Sequence, residues 1–203
     1  MHTDSQSPAQ VSTKKRPSSA KRLQDLALIA VFAALIIVLA FVSIPVGTAG
    51  VPIVLQNAAV VLAGLVLGGR RGFLAALLFL ALGLIGLPVL AGGRTTIAAL
   101  AGPTAGYIVG YLLSALVAGS IAYLAPKKRG TGMFVVLGLA ALAGLITQYL
   151  CGSIGLTLRA GMGFAEAATA QLPFILPDLG KFAVMVIIAA GVHAAFPDLR
   201  AKK

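Results

Sequence analysis

Long apolar runs dominate the chain, broken at fairly regular intervals by short clusters of glycine, proline and basic residues. The runs fall near residues 25–43, 52–68, 72–90, 104–125, 132–157 and 178–196. Each is close to the roughly 20 apolar residues that a helix needs to cross a hydrocarbon layer about 30 Å thick. In lipid the backbone must satisfy its own N–H and C=O groups, and a helix does so without a partner. The pattern therefore predicts an all-α integral membrane protein with six transmembrane helices. Pro45 and Pro52 bracket the first connection, and Gly68 to Gly72 form a tight second one. Pro88 to Pro103 enclose a long glycine-rich connection, Pro126 ends the fourth run, and Pro173 and Pro177 precede the sixth.

The polar ends complete the plan. Residues 1–24 are basic and poor in large apolar side chains, which predicts a disordered cytoplasmic tail. Residues 25–198 then form the membrane domain, and 199–203 a short basic cytoplasmic tail. Basic residues ahead of the first apolar run also begin a signal peptide. This run, however, is long enough to span, lacks an early cleavage signature and is followed by further spans, so it is expected to stay.

Composition narrows the function classes. The chain is 59% hydrophobic and 10% charged, against roughly 25% charged in a soluble domain. Six spans leave no room for a nucleotide-binding domain. The net charge of +11 would suit nucleic acid, but the bases sit between apolar runs and no basic face alternates with aromatics, which argues against nucleic-acid binding. Their distribution instead sets the orientation. With the N-terminus inside, Lys14, Lys15, Arg16, Lys21, Arg22, Arg70, Arg71, Lys127, Lys128, Arg129, Arg200, Lys202 and Lys203 are cytoplasmic, and only Arg94, Arg159 and Lys181 lie outside. An excess of Lys and Arg marks the cytoplasmic side, so both termini are expected there. Cys151 is the single cysteine and reads as a small packing residue.

Against this apolar background a few polar residues need a reason. An ionisable group in or near hydrocarbon is costly and is a functional candidate by default. Asp178 and Lys181 are three apart and share a helical face. At the start of the sixth helix the aspartate suits the macrodipole and the lysine opposes it. They are either a local ion pair reaching interfacial water or a pair that holds a ligand, and their outward position favours the second. Arg94 breaks the charge bias on the same side, and guanidinium is the natural bidentate partner of a carboxylate. Gln56 and Asn57, early in the second span, are interhelical ties or ligand contacts. Arg159 and Glu166 are expected as solvated loop charges, and His193 at the cytoplasmic interface. A Ser153–His193 dyad is excluded, because the two lie roughly 20 Å apart in depth at 1.5 Å per helical residue. No metal-ligand cluster or phosphate-binding loop is present, so neither enzyme chemistry nor a cofactor is expected. Gly64/Gly68, Gly106/Gly110 and Ala30/Ala34 have the small-xxx-small spacing that lets membrane helices approach closely.

Several segments then resemble one family. Val51-Pro52-Ile53-Val54-Leu55-Gln56, Leu82-Gly83-Leu84-Ile85-Gly86-Leu87-Pro88-Val89, Gly102-Pro103-Thr104-Ala105-Gly106-Tyr107, and Pro173-Phe174 before Asp178 and Lys181 are similar, in order and spacing, to BioY. Its members are the biotin-specific substrate-capture subunits of energy-coupling-factor (ECF) transporters. The chain departs from the family at Ala105, often Gly, and at Phe79, often Tyr. The resemblance implies a six-helix fold in the bacterial cell membrane, surrounded by lipid, with an extracytoplasmic pocket. It implies substrate contacts from Arg94, Asp178 and Lys181, with biotin as the substrate, and Gln56 and Tyr107, which stand in the matching segments, are counted with them as candidate substrate contacts. It further implies a membrane coupling subunit, docked on Ala30 and Ala34 of the first helix, and a pair of cytoplasmic ATPases. A similar subunit for another small vitamin, or a ligand-free scaffold, are the readings that compete with it.

Overall fold

The computed structural model describes residues 19–44, 53–126 and 129–200. Residues 1–18 of the tail expected over 1–24, residues 201–203 of the tail expected over 199–203, the loop bracketed by Pro45 and Pro52, and Lys127 and Lys128 lie outside the described residues. The architecture is helical: α1 Ser19–Ala40, α2 Gln56–Leu67, α3 Gly69–Leu84, α4 Thr96–Ala101, α5 Ala105–Ala122, α6 Thr131–Ala160, α7 Phe164–Thr169 and α8 Leu172–Ala195. Strands β1 (Ser43–Ile44) and β2 (Ile53–Val54) pair antiparallel between α1 and α2. Among the described residues four helices, α1, α5, α6 and α8, are long and apolar enough to cross a membrane. With 12 residues α2 is about 18 Å long, and α3 has 16 residues.

The expected boundaries shift for identifiable reasons. The first helix starts at Ser19 rather than 25, because Ala20, Lys21, Arg22 and Leu23 are good helix formers that extend its first turns. The expected ends at 43 and start at 52 are replaced by the two-residue strands. Pro45 disfavours helical backbone at Ile44, and Val42, Ile44, Ile53 and Val54 are β-branched. The third helix begins at Gly69, directly after Gly68 turns the chain with φ +83°, and stops at Leu84 before Gly86 at φ +101°. The largest correction is in α8, which starts at Leu172 and contains the prolines meant to precede it. Pro173 sits in the first turn, where its missing N–H has no intrahelical partner to lose. Pro177 lies inside the helix, as membrane helices tolerate when neighbours re-satisfy the freed groups.

Helix α2 is the centre of the bundle: every one of its residues is buried. It packs on α5, α3, α8, α1 and α6, while α5 and α6 share the most extensive interface. That interface uses the predicted small residues. A Cβ on Gly106 would clash with the Cys151 carbonyl and stand 2.7 Å from the Gly155 Cα, and one on Gly110 would press on Gln148. Gly64 likewise lies against the Ala115 carbonyl and Gly72. Without a hydrophobic drive in lipid, such close backbone approach is what holds helices together. By contrast α1 is peripheral, burying Ala33, Ile36 and Ala40 and leaving Ala30 and Ala34 on its exposed face.

The two ends of the bundle differ. At one end Arg71 pairs with Asp25 at 2.7 Å, tying α3 to α1. Here the Tyr123 hydroxyl reaches the carbonyls of Val66 at 3.2 Å and Leu199 at 3.1 Å. The chain at 197–200 is thus a 3₁₀ turn held to the bundle. His193 is not interfacial: it is 2% exposed, its Nε2 lies 2.8 Å from the Leu65 carbonyl, and its ring meets Tyr123 edge-on. The backbone carbonyl of α2's last turn gives it a buried partner that spacing did not reveal. Arg159, expected in a loop, is in the last turn of α6, where a cation suits the macrodipole, and Glu166 is in the first turn of α7. Both are exposed.

Candidate ligand-binding site

At the opposite end, a pocket opens between the start of α2, the Leu90–Arg94 loop, the start of α5, the middle of α6 and the start of α8. Its apolar lining comes from Ile53, Leu90, Ile108 and Phe174, among others. Its charged side chains fall into two groups.

The first group is centred on Asp178, which is 3% exposed. Because α8 begins at Leu172, Asp178 and Lys181 belong to its second and third turns, and the macrodipole no longer explains them. Instead they pair with each other, Lys181 Nζ to Asp178 Oδ1 at 2.5 Å. The ammonium also donates to the Val54 carbonyl at 2.7 Å and to Asn57 Oδ1 at 3.1 Å. An ammonium has three N–H donors, so all three are engaged. On the other carboxylate oxygen, Oδ2 accepts from Tyr149 Oη at 2.7 Å and from Asn57 Nδ2 at 3.2 Å. A carboxylate has about four acceptor sites, so one on Oδ1 is left unused. A buried charge is tolerable only when paired and hydrogen-bonded, and this one is both.

The second group is Arg94. Gly92 and Gly93, both at positive φ, allow the chain to fold back so that Leu90 and Arg94 exchange backbone hydrogen bonds. This small loop presents the guanidinium to the pocket. Its contacts, to the Ala91 carbonyl and Thr104 Oγ1, are both 3.4 Å, longer than a well-formed N–H···O bond. Among the described residues the ion pairs are Arg71–Asp25 and Lys181–Asp178, so Arg94 has no carboxylate partner there. The site therefore contains one neutralised pair and one cation free to meet an anion.

The five residues expected from the sequence, Arg94, Asp178, Lys181, Gln56 and Tyr107, all line this pocket. Gln56 spends its amide on the Val89 carbonyl at 2.8 Å, and Tyr107 donates to Gln171 Oε1 at 2.7 Å.

Residues 10–198 match the family model described as BioY family. The chain belongs to the BioY family. Its relatives include the biotin transporter BioY of Rhodobacter capsulatus, 44% identical over 186 residues, covering 86% of this chain and 96% of the relative. The biotin transporter BioY of Rhizobium etli is 37% identical over 183 residues, covering 88% of this chain and 98% of the relative. Among solved structures, the S-component for biotin from an ECF-type ABC transporter superposes with a TM-score of 0.79 at 31% identity, over 88% of this chain and 95% of that one. ThiT from Listeria monocytogenes shares the fold, with a TM-score of 0.61 at 19% identity over 89% of this chain and 98% of that one. Membership of the BioY family makes this a multi-pass membrane transport protein and not an enzyme.

Within this BioY-family pocket, sequence reasoning passed over Tyr149, Gln148, Gln171 and Thr104, and left Asn57 undecided between tie and contact. Tyr149 touches the central carboxylate directly. The adjacent polar pair Gln148-Tyr149, in an otherwise apolar stretch of α6, was the available signal. Ser153, as expected, is far from His193: it bonds Ala167 and Gln171 at the pocket end.

Proposed function

We propose that the chain captures biotin in this pocket as the substrate-binding subunit of an ECF-type transporter. The observation that carries the reading is the separation of the pocket's charges into an overall neutral Asp178–Lys181 pair, held by Asn57 and Tyr149, and a separate Arg94 without a carboxylate partner among the described residues. Biotin has the matching division: a neutral cyclic urea with two N–H donors and one carbonyl, an apolar sulfur ring, and an anionic valerate. The urea presents an N–H to the open acceptor site on Asp178 Oδ1. Its carbonyl takes a Lys181 N–H in exchange for the Val54 carbonyl. The ring lies among Ile53, Leu90, Ile108 and Phe174, and the carboxylate meets Arg94. Gln56 and Tyr107 complete the wall.

In this reading α2 and α3 also cross the membrane, giving six crossings with both termini in the cytoplasm of a bacterial cell. Support comes from Lys21, Arg22, Arg70, Arg71 and Arg129, which gather at the end of the bundle away from the pocket. The pocket then opens outside. Ala30 and Ala34 face outward on peripheral α1 and form the docking surface for the coupling subunit, which passes on the work of an ATPase pair. Lipid covers the remaining apolar surface.

The test is calorimetric titration of the purified protein with biotin in the absence of ATP. Tight binding is expected, because capture is separate from energy input. Failure of the wild-type protein to bind biotin would overturn the assignment.

A further inference from the structure

Gln148 lies on α6, is 2% exposed, and lines the pocket next to Tyr149. Its Nε2 donates to the backbone carbonyl of Asn57 at 3.1 Å and to Ser114 Oγ at 3.0 Å. Ser114 is fully buried on α5 and donates its own proton to the Tyr111 carbonyl at 3.1 Å. A hydroxyl has one proton to give, so toward Gln148 it can only accept. This fixes the amide of Gln148 in one orientation: turned over, its oxygen would face two acceptors. The Asn57 amide is fixed in the same way, since its nitrogen faces the Asp178 carboxylate and its oxygen faces the Lys181 ammonium. One nitrogen of Gln148 thus ties α2, α5 and α6 at the residue whose side chain bridges both charges of the site. With both of its N–H groups engaged inside the protein, only Oε1 of Gln148 is left for the cavity.

We propose that Gln148 is a positioning residue for ligand capture, acting through Asn57 by anchoring the first turn of α2 so that the Asn57 amide holds Asp178 and Lys181 in their binding arrangement. The inference rests on the reading of the pocket as the biotin site. It differs from a general packing role in one respect. A residue that acts through Asn57 has nothing left to act on once the Asn57 amide is gone, whereas a residue that touches the ligand or supports the fold keeps its effect.

The experiment is a double-mutant cycle read by biotin titration of the full-length protein in detergent, with the thermal midpoint of each variant recorded alongside. Gln148→Met keeps the length and loses both donors, and is expected to weaken biotin by about tenfold or more. Asn57→Ala should weaken it at least as much. The double variant should bind no more than about threefold worse than Asn57→Ala alone. Losses that multiply would overturn the proposal, because Gln148 would then act on the ligand or on the fold at large. Should Gln148→Met fail to fold, Ser114→Ala takes its place. Its hydroxyl is outside the pocket lining, and removing it frees Gln148 to turn. A several-fold loss that vanishes in the Asn57→Ala background is expected, and no loss would overturn the proposal. A wild-type protein that ignores biotin is a separate result, one that removes the ligand assignment and this inference with it.

Discussion

Arg94 and Asp178 line the same pocket, yet among the described residues Asp178 takes its cation from Lys181 at 2.5 Å and Arg94 makes only 3.4 Å contacts with Ala91 and Thr104. The opposite charges available in the pocket are therefore not all cancelled against each other. One cation remains for the ligand.

The first prediction concerns that cation. Arg94→Ala should weaken biotin by about 2 kcal/mol or more, roughly 30-fold. It should change the affinity for neutral biotin amide by less than about threefold, because no carboxylate remains for the guanidinium to meet. Calorimetry with both ligands on wild type and variant reads the difference. Equal losses for the two would mean that the carboxylate lies elsewhere.

In the neutral cluster, removal of one partner strands the other. Asp178→Ala and Lys181→Ala should each cost about 2–5 kcal/mol of binding, roughly 30- to several-thousand-fold. Tyr149→Phe keeps the ring packing and loses only the 2.7 Å bond to Asp178, so its cost should fall near 1.5–3 kcal/mol. Biotin titrations of the three variants check the ranking, and unchanged affinity in all of them would move the site.

How much of this could be read from residues alone depended on charge. Asp178, Lys181 and Arg94 stand out because ionised groups are rare in apolar sequence. Uncharged Gln148 and Tyr149 do not, since an amide or phenol in a membrane helix serves equally well to tie helices together. The prolines misled in a specific way. Pro173 and Pro177 read as breakers ahead of the last helix, while in the structure one occupies its first turn and the other its interior. That shift put Asp178 and Lys181 at a helix start they do not occupy. Helices α4 and α7 are six residues each, too short to leave a periodic pattern. The glycine spacing of Gly106 and Gly110 was legible, but their partners Gly155, Cys151 and Gln148 depend on how α5 crosses α6.

That crossing supplies a stability test. Gly106→Ala puts a methyl against the Cys151 carbonyl and the Gly155 backbone, so it should destabilise by about 1–3 kcal/mol. Gly138→Ala, on the same pair of helices but with open space around it, should be neutral or gain up to about 1 kcal/mol, as alanine is the better helix former. Thermal unfolding in detergent compares them, and equal midpoints would mean the interface yields freely.

Orientation is tested by reporters. A fusion after Lys203 should report the cytoplasm, and an insertion between Gly161 and Gly163 should report the outside. The reverse result would invert the side on which substrate is captured.

For partner docking, Ala30→Trp and Ala34→Trp should each leave biotin affinity within about threefold of wild type while reducing copurification of the coupling subunit, since close helix contact tolerates little added volume. Undiminished association in both variants would transfer the contact to another face.

The glycines that set the helix crossings and the side chains that line the pocket are different residues: among the described residues no glycine lines the pocket, and Gly64, Gly72, Gly106 and Gly155 meet backbone rather than cavity. Shape and chemical taste are thus inherited separately. A lineage can exchange Arg94, Asn57 or Tyr149 for other side chains, one at a time, without reopening the crossings. Substitution in the pocket then changes what is recognised, whereas substitution at the crossings weakens the fold that holds it.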